Sequence, residues 1–323
     1  MENGALVISL DFELLWGVFD KVDWRNRKEY FQNTREVIPE MLRLFEKYEV
    51  SCTWATVGML FNENWEEWNQ NIPKILPDYV DKNLDAYKYG KSIQNKETEE
   101  LCFAPDLINQ IKDCPGQELG THTYSHYYCL ELGQNVDSFN LDLQKSKQLA
   151  EKFGIELKSL VFPRNQYNPS YLEVCKKIGL QTVRTNPDVW YWENTQKDSF
   201  QQKIFRTGDA YIGLNNKSYT DISEIAPGIS GQKASRLLRP NSGRNLLDRA
   251  RIKRIQSEMS SAAKNKEVYH LWWHPHNFGG NPTRNLMELQ TLLQHFRTCQ
   301  CKFGFESRSM SGINKLAGIR SYG

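Results

Sequence analysis

Short β-rich apolar runs alternate with segments of helical periodicity along most of this chain, and that alternation constrains its fold more than any other feature. Strands separated by helices imply crossover connections, which join parallel strands of one sheet. We therefore expect an α/β fold with mainly parallel strands, either a barrel or a distorted barrel. Strands are predicted at 6–10, 53–60, 118–120, 159–162, 181–184 and 267–273. Helices are predicted at 36–48, 104–111, 136–153, 169–178, 242–264 and 286–296.

The organisation of the chain predicts a single domain over residues 1–323 with two insertions. The insertions, at about 62–101 and 185–241, interrupt the alternation and carry many Trp, Tyr, Asn, Gly and Pro residues. Long irregular segments in a compact domain are usually functional loops or lids, and surface padding is the alternative. A net charge of +2 argues against a dedicated nucleic-acid binder, which would carry a strongly basic surface.

The compartment is predicted from three features of the sequence. No run approaches the ~18 consecutive apolar residues of a transmembrane helix. The amino-terminal residues lack a basic segment and pass at once into an apolar run, so they indicate a first strand and not an export signal. The seven cysteines are odd in number, scattered and without CxxC spacing. We therefore expect a cytoplasmic protein.

Polar side chains follow four of the predicted strands, at the point where each strand ends. They are Asp11 and Glu13, His122 and His126, the segment 163–167, and His274 and His276. In barrel enzymes the reactive groups come from loops at the carboxyl ends of different strands. We expect these four groups to converge on one pocket.

The histidines suggest a metal site. His122 and His126 have i, i+4 spacing, which on a helical turn places both imidazoles on one face. Five of the six histidines fall in only two segments, although two loop histidines that share no contact remain the alternative. With a carboxylate, two histidines form a site with an open coordination position, as catalytic zinc sites have.

The carboxylates complete this interpretation. Asp11 and Glu13 share one face if the strand continues, while Phe12 turns to the other face. A helix cap or an ion pair to Arg25 or Arg27 is the alternative. One carboxylate would bind an ion that lowers the pKa of water to ~7, and the second would accept the proton. Such a site would hydrolyse an amide or an ester.

Five motifs occur in a characteristic order: SLDFE at 9–13, HTYSH at 122–126, RNQY at 164–167, DVW at 188–190 and LWWH at 271–274. In order and approximate spacing they resemble the motifs of the polysaccharide deacetylase (NodB-homology) family, and the resemblance spans about 6–279. It implies a distorted (β/α) barrel that removes acyl groups from N-acylated amino sugars with one divalent metal ion. Zn is the first expectation, and Co, Ni or Mn would also suit this ligand set.

The resemblance implies roles for individual residues. The catalytic residues would be Asp11 as base, Arg164 holding that base ionised and oriented, Tyr167 stabilising the oxyanion through its backbone N–H, His274 as general acid, and Asp188 as its orienting partner. The metal ligands would be Glu13, His122 and His126. Trp190 would form a wall of the acyl pocket, and His276 would contact the substrate or support the site, with a polar loop residue as the alternative.

The chain departs from the family pattern at two positions. The family commonly has two consecutive aspartates on the first strand, the second of which is the metal ligand, whereas Phe12 stands there in this chain. We expect Glu13, one methylene longer, to reach the ion; the alternative is a site of the two histidines and Asp11. The third motif has Gln166 where proline is usual.

The substrate is predicted from the basic stretch 233–254. Arg236 and Arg239, beside Pro240, are candidates for binding the diphosphate of a nucleotide- or polyprenyl-linked sugar. The same stretch could lie on an anionic membrane face as a peripheral contact, or be a solvated helix surface. We therefore expect hydrolysis of the N-acetyl, or alternatively N-formyl, group of an activated amino sugar in surface polysaccharide biosynthesis. An amidohydrolase of a non-sugar amide and a catalytically silent sugar-binding module are the alternatives.

Overall fold

The computed structural model describes residues 2–187, 189–193, 200–209 and 217–316. Ten strands form one sheet in this part of the chain: β1 Ala5–Phe12, β2 Cys52–Thr56, β3 Gln117–Thr121, β4 Ser159–Val161, β5 Thr182–Thr185, β6 Glu224–Ala226, β7 Ile229–Lys233, β8 Arg236–Leu237, β9 Val268–Trp273 and β10 Glu306–Arg308. The spatial order is β6-β7-β5-β4-β3-β2-β1-β9-β8, and β10 pairs with the first half of β1. Among the ten described strands only β6 and β7 pair antiparallel, and an isolated antiparallel bridge joins Tyr219 to Val268 of β9.

The helices surround a curled half-barrel of mostly parallel strands, as the alternation predicts. The described helices are α1 Lys28–Lys47, α2 Trp65–Gln70, α3 Ala86–Ser92, α4 Lys96–Cys102, α5 Pro105–Asp113, α6 Val136–Lys152, α7 Leu172–Ile178, α8 Trp190–Glu193, α9 Phe200–Asp209, α10 Asn245–Asn265, α11 Pro282–Phe303 and α12 Met310–Leu316. All eight residues of β1 are buried, because a central parallel strand is covered on both faces.

The local sequence explains where the principal helices begin and end. The side chain of Asn135 accepts a hydrogen bond from the Ser138 N–H and caps α6. Pro282 stands in the first turn of α11, where its missing N–H is not needed, and Gly304 ends that helix with a left-handed φ of 69°. The chain therefore turns back sharply after α11 and adds β10 beside β1.

The two predicted insertions contain regular structure that the sequence pattern did not reveal. Segment 62–101 holds α2, α3 and α4, and Trp68 stacks on Trp16 with ring centroids 6.1 Å apart. Segment 185–241 holds β6, β7 and β8, which extend the main sheet and are not part of an irregular loop. These strands have two to five residues and few apolar side chains, so no alternation marks them.

Within the described ranges, no helix combines the length and apolarity that a bilayer-spanning segment requires. The strand predicted over 53–60 is too long: β2 ends at Thr56, and a 3-10 turn at Gly58–Phe61 follows. All seven cysteines lie in the described part of the chain as free thiols.

Candidate metal centre and active site

The polar side chains that follow β1, β3, β4 and β9 lie at one edge of the sheet, because parallel strands end on the same side. The backbone there is unusual. Seven non-glycine residues of the described chain have positive φ, and five of them belong to these strand-end loops: Leu14, Thr123, His126, Arg164 and Asn165. Such conformations cost about 1–3 kcal/mol each and persist where the surrounding structure enforces them.

The loop after β3 carries His122 and His126 on an irregular path, not on the helical turn that their spacing suggested. His122 Nδ1 lies 2.8 Å from the carbonyl oxygen of Val161, so it is the protonated nitrogen and Nε2 faces away. His122 Nε2 is buried and makes no hydrogen bond to any of the described residues. His126 is also buried, and burial, partly offset by Glu13, lowers its pKa to about 4.

Asp142 of α6 holds the loop after β3 in place through hydrogen bonds. Its carboxylate accepts hydrogen bonds from the backbone N–H groups of Tyr124 and Ser125, at 2.6 and 3.1 Å, and from the Ser125 hydroxyl at 2.5 Å. Burial raises the pKa of Asp142 to about 6, although these hydrogen bonds oppose the shift. Asp142 was not predicted from the sequence; its position on the apolar face of α6, between Phe139 and Leu143, was the available signal.

Replacing Asp142 with alanine is expected to lower the free energy of unfolding by about 2–6 kcal/mol and to weaken any function of His122 and His126. The substitution leaves two buried N–H groups without acceptors, at about 1–3 kcal/mol each. Urea unfolding measures the effect. Asp137→Ala, in the exposed first turn of the same helix, is the control and should cost less than about 1 kcal/mol. Equal losses in the two variants would contradict the anchoring role.

Glu13 joins the two histidines and completes a cluster that fits a divalent cation. Its Oε2 lies 3.5 Å from His122 Nε2 and 3.2 Å from His126 Nε2, and all three residues are buried. Ligand atoms around a tetrahedral zinc ion are separated by about 3.3 Å, as bonds of 2.0–2.1 Å require. The unpartnered Nε2 of His122 supports the same interpretation, because a buried acceptor without a partner is costly. Phe12 turns to the opposite face and packs on Trp54.

Asp11 lies beside this cluster and is held by Arg184 of β5. Two parallel contacts, 2.7 and 2.8 Å long, join the guanidinium to the two carboxylate oxygens. Burial alone would raise the pKa of Asp11, but the charge of Arg184, with smaller contributions from His122 and His274, places it below the usual value. Asp11 is therefore ionised at neutral pH and is oriented by a bidentate pair.

The sequence predicted that Arg164 would hold Asp11, but Arg184 makes that contact in the structure. Arg164 has a positive φ and directs its guanidinium to Asp20 and over the ring of Tyr128, 4.4 Å from the ring centroid. A charged residue inside the predicted strand 181–184 was the available signal for Arg184, since charges are rarely buried without a partner. Its guanidinium also contacts Asn165 Oδ1 and lies over Trp272.

His274 and His276 approach the carboxylates from the end of β9. His274 Nε2 lies 3.7 Å from both Asp11 Oδ2 and Glu13 Oε1, and the side chain is 26% exposed, so it can reach a molecule in the pocket. His276 is buried, its Nδ1 faces Glu13 Oε1 at 3.5 Å, and this atom makes no hydrogen bond within the described part of the chain. Burial lowers the pKa of His276 to about 4. His276 thus contacts a predicted metal ligand and supports it.

Three other residues were predicted to take part in the site: Tyr167, Trp190 and Asp188. The backbone N–H of Tyr167 donates to the Asn165 carbonyl oxygen at 2.9 Å and is already used within its loop. Trp190 is 49% exposed and packs on Tyr191 and Phe205. Asp188 lies outside the described residues. The aromatic ring that adjoins His274 belongs to Trp272, with ring centroids 5.7 Å apart.

The basic stretch separates into internal and exposed residues. Arg236 is buried and binds Glu258 through two contacts of 2.6 Å and the carbonyl oxygen of Asp209 at 2.9 Å, so its charge is neutralised inside the protein and the predicted phosphate contact is not supported. Arg239 lines a small cavity beside Trp272. Of the basic residues in this stretch, those that remain exposed are Arg244, Arg249 and Lys253, on α10 and at its start.

Comparisons with known proteins identify a family and a shared fold. The family model described as polysaccharide deacetylase matches residues 17–183. No curated protein matches the chain.

Solved structures of similar fold include a putative polysaccharide deacetylase from Mycobacterium smegmatis, at 12% identity and a TM-score of 0.58, covering 99% of this chain and 94% of that one. A probable polysaccharide deacetylase from Pseudomonas aeruginosa PAO1 matches at 10% identity and a TM-score of 0.58, covering 99% and 92%. A Puue allantoinase matches at 10% identity and a TM-score of 0.56, covering 99% and 91%. At these identities the matches show a shared fold.

Proposed function

The chain belongs to the polysaccharide deacetylase family, and from that premise we propose that it is a metal-dependent hydrolase that removes an N-acyl group, acetyl in the first instance, from an amino sugar. The observation that carries the proposal is the buried Glu13, His122 and His126 cluster beside an ionised Asp11. A carboxylate for proton transfer next to a cation site is an arrangement that supports metal-assisted amide hydrolysis.

The metal ion would be held by Glu13, His122 and His126. When bound, it would polarise the amide carbonyl and lower the pKa of a water molecule to about 7. This ligand set suits zinc first, and Co, Ni or Mn as well. The hydrogen bond from His122 Nδ1 to the Val161 carbonyl fixes the ring so that Nε2 is unprotonated and its lone pair can bind a metal ion, which is how metal-binding histidines are usually oriented.

The protein side chains would move two protons. Asp11, ionised and oriented by Arg184, accepts a proton from the attacking water, whose oxygen forms the new bond to the acyl carbon. His274, partly exposed and next to both carboxylates, donates a proton to the sugar nitrogen as the C–N bond breaks. The products are a free carboxylic acid and an amino sugar, so the atoms of one water molecule are consumed in each turnover.

The form of the substrate is a finer proposal. We propose an activated precursor, nucleotide- or lipid-linked, in the cytoplasm. Support comes from Arg244, Arg249 and Lys253, exposed on the first half of α10 and at its start. Because α10 leads directly into the start of β9, its first turns lie towards the end of the sheet where His274 follows β9. Exposed guanidinium groups there would attract a diphosphate.

Removing the metal is expected to abolish acyl release, and restoring it should recover activity. The purified protein would be treated with a chelator and reloaded with Zn, Co, Ni or Mn, and acetate release would be measured. Metal binding should also raise the free energy of unfolding, by about 2.7 kcal/mol when the ion is present at 100 times its Kd. Full activity in the chelated protein would contradict metal dependence.

A substrate panel would separate the remaining possibilities. It would contain a nucleotide-linked N-acetylamino sugar, N-acetylglucosamine oligomers of increasing length, N-formyl analogues, and small non-sugar amides and ureides. We expect the nucleotide-linked sugar to react fastest. Reaction of long polymers alone would refute the precursor proposal, and reaction of ureides alone would favour the non-sugar amidohydrolase. If the protein binds one metal ion per molecule but hydrolyses no compound of the panel, a catalytically silent sugar-binding module would be favoured.

A further inference from the structure

We propose that Gly17 is a positioning residue for the metal centre, because its missing side chain leaves the space in which the Glu13 carboxylate lies. The inference rests on the proposed function, since it concerns the residue that would bind the ion through a carboxylate. It adds a residue that none of the five sequence motifs contains, and it explains how a glutamate can stand in this site.

The contact between Gly17 and Glu13 is closer than any side chain would permit. A Cβ atom added to Gly17 would lie 1.9 Å from Cδ of Glu13, 2.0 Å from its Oε1 and 2.5 Å from its Cγ. Each distance is far below van der Waals contact, which begins near 3.5 Å between carbon atoms. These three nearest atoms all belong to the Glu13 side chain, so an added methyl group at position 17 would have to displace that side chain.

A local turn brings these two residues together. The 3-10 turn Leu14–Gly17 directly follows Glu13, and the Glu13 carbonyl oxygen accepts a hydrogen bond from the Trp16 N–H at 3.0 Å. Leu14 has a φ of 44°, a left-handed conformation that is unfavourable for leucine and is held by its buried surroundings. The chain thus folds back within four residues and places the Gly17 backbone against the carboxylate.

The Glu13 side chain is enclosed by the residues around it. It is 3% exposed. Its Oε2 side is occupied by the imidazoles of His122 and His126, and its Oε1 side by those of His274 and His276, all with nitrogen atoms within 3.7 Å. A methyl group at position 17 would therefore move Oε2 relative to the two histidine nitrogens, whereas metal bonds tolerate only about 0.2 Å of change.

A glutamate needs this restraint more than an aspartate does. It has one more rotatable bond, so more conformations must be excluded before its carboxylate points at the ion. Contact with the Gly17 backbone on one side and His276 on the other excludes them. A metal-binding glutamate at position 13 and a glycine at position 17 would then function as a pair.

Gly17→Ala tests the inference, with Gly280→Ala as the matched control. Neither glycine has a left-handed backbone, so alanine is allowed at both, and a Cβ at Gly280 would meet its nearest atom at 3.7 Å. Binding of Zn²⁺ and Co²⁺ to the metal-free proteins would be measured by calorimetry and by the visible absorption of Co²⁺. We expect Gly17→Ala to weaken binding by about 10–100-fold, as loss of supporting contacts does, and Gly280→Ala to leave it unchanged. Unchanged binding in Gly17→Ala would overturn the inference.

A double-mutant cycle in the metal-free protein tests, without any bound metal, whether a side chain at position 17 conflicts with that of Glu13. Gly17→Ala should lower the Tm of the wild-type protein but not that of a Glu13→Ala variant, which lacks the Cγ, Cδ and Oε1 atoms in conflict. The same decrease in both backgrounds would overturn the inference. Failure of the wild-type protein to bind any ion would instead refute the proposed function, and the cycle would still decide whether Gly17 provides the space for Glu13.

Discussion

Replacing Arg184 with methionine is expected to reduce acyl release by at least about 100-fold, the lower range of what a positioned base contributes. The substitution leaves Asp11 buried without its bidentate partner, so that Asp11 becomes protonated or misoriented. It should also lower the free energy of unfolding by about 3–5 kcal/mol, because an uncompensated buried charge remains. Initial rates of acetate release and urea unfolding measure the two effects.

Arg164→Met is the control for this prediction. Arg164 is on the third motif, where the orienting arginine was expected, yet it binds Asp20 and not Asp11. Its replacement should leave most of the activity and cost less stability than that of Arg184, since its side chain is 23% exposed. The activity of Arg184→Lys should fall between those of the wild-type protein and Arg184→Met, because an ammonium group keeps the charge but cannot form two parallel contacts. A larger loss of activity in Arg164→Met than in Arg184→Met would show that the assignment of the orienting arginine is wrong.

Asp11→Asn and Glu13→Gln should separate the base from the metal ligand. Both substitutions keep the size of the side chain and remove its charge. Asp11→Asn is expected to lower kcat by about 10²–10⁴, the usual contribution of a general base, while the protein still binds one ion. Glu13→Gln is expected to weaken metal affinity by more than about 100-fold, since even supporting residues contribute 10–100-fold.

Metal content per folded molecule and kcat are the two measurements for this pair. Circular dichroism would establish that both variants are folded, which matters for Asp11→Asn because Arg184 loses its partner. Loss of the ion from Asp11→Asn together with its retention in Glu13→Gln would assign the ligand role to Asp11, which is the alternative that the sequence left open.

The sequence predicted the architecture because long apolar and periodic segments dominate it. Strands such as β1 and β9 and helices such as α6 and α11 are long enough to show their period. It missed β6, β7 and β8, because strands of two to five residues with Ser, Gly and Gln carry no period. Tertiary pairing with β5 and β9 determines these strands, and local preference does not.

The residues that meet in the candidate site were predicted where they lie at or just beyond the carboxyl ends of strands, and Arg184 and Asp142 were missed because they lie inside an element whose pattern does not single them out. Asp11, Glu13, His122, His126 and His274 meet at one edge of the sheet, as parallel topology requires. Arg184 inside β5 and Asp142 inside α6 support the site through contacts with residues that are distant in the sequence.

Arg164 and Gly17 show why such partners cannot be assigned from spacing. The left-handed backbone at Arg164 directs its side chain away from Asp11, although the third motif predicted contact. The role of Gly17 depends on a turn that folds the chain back onto Glu13, and only the coordinates reveal that approach.

Anomalous diffraction from a crystal of the zinc-loaded protein would test the central claim most directly. We expect one zinc peak within about 2.0–2.2 Å of the His122 and His126 Nε2 atoms and of a Glu13 carboxylate oxygen. Asp11 should remain bound to Arg184 without touching the ion. A zinc ion bonded to Asp11 in place of Glu13, or crystals of loaded protein with no zinc between the two histidines, would contradict the account.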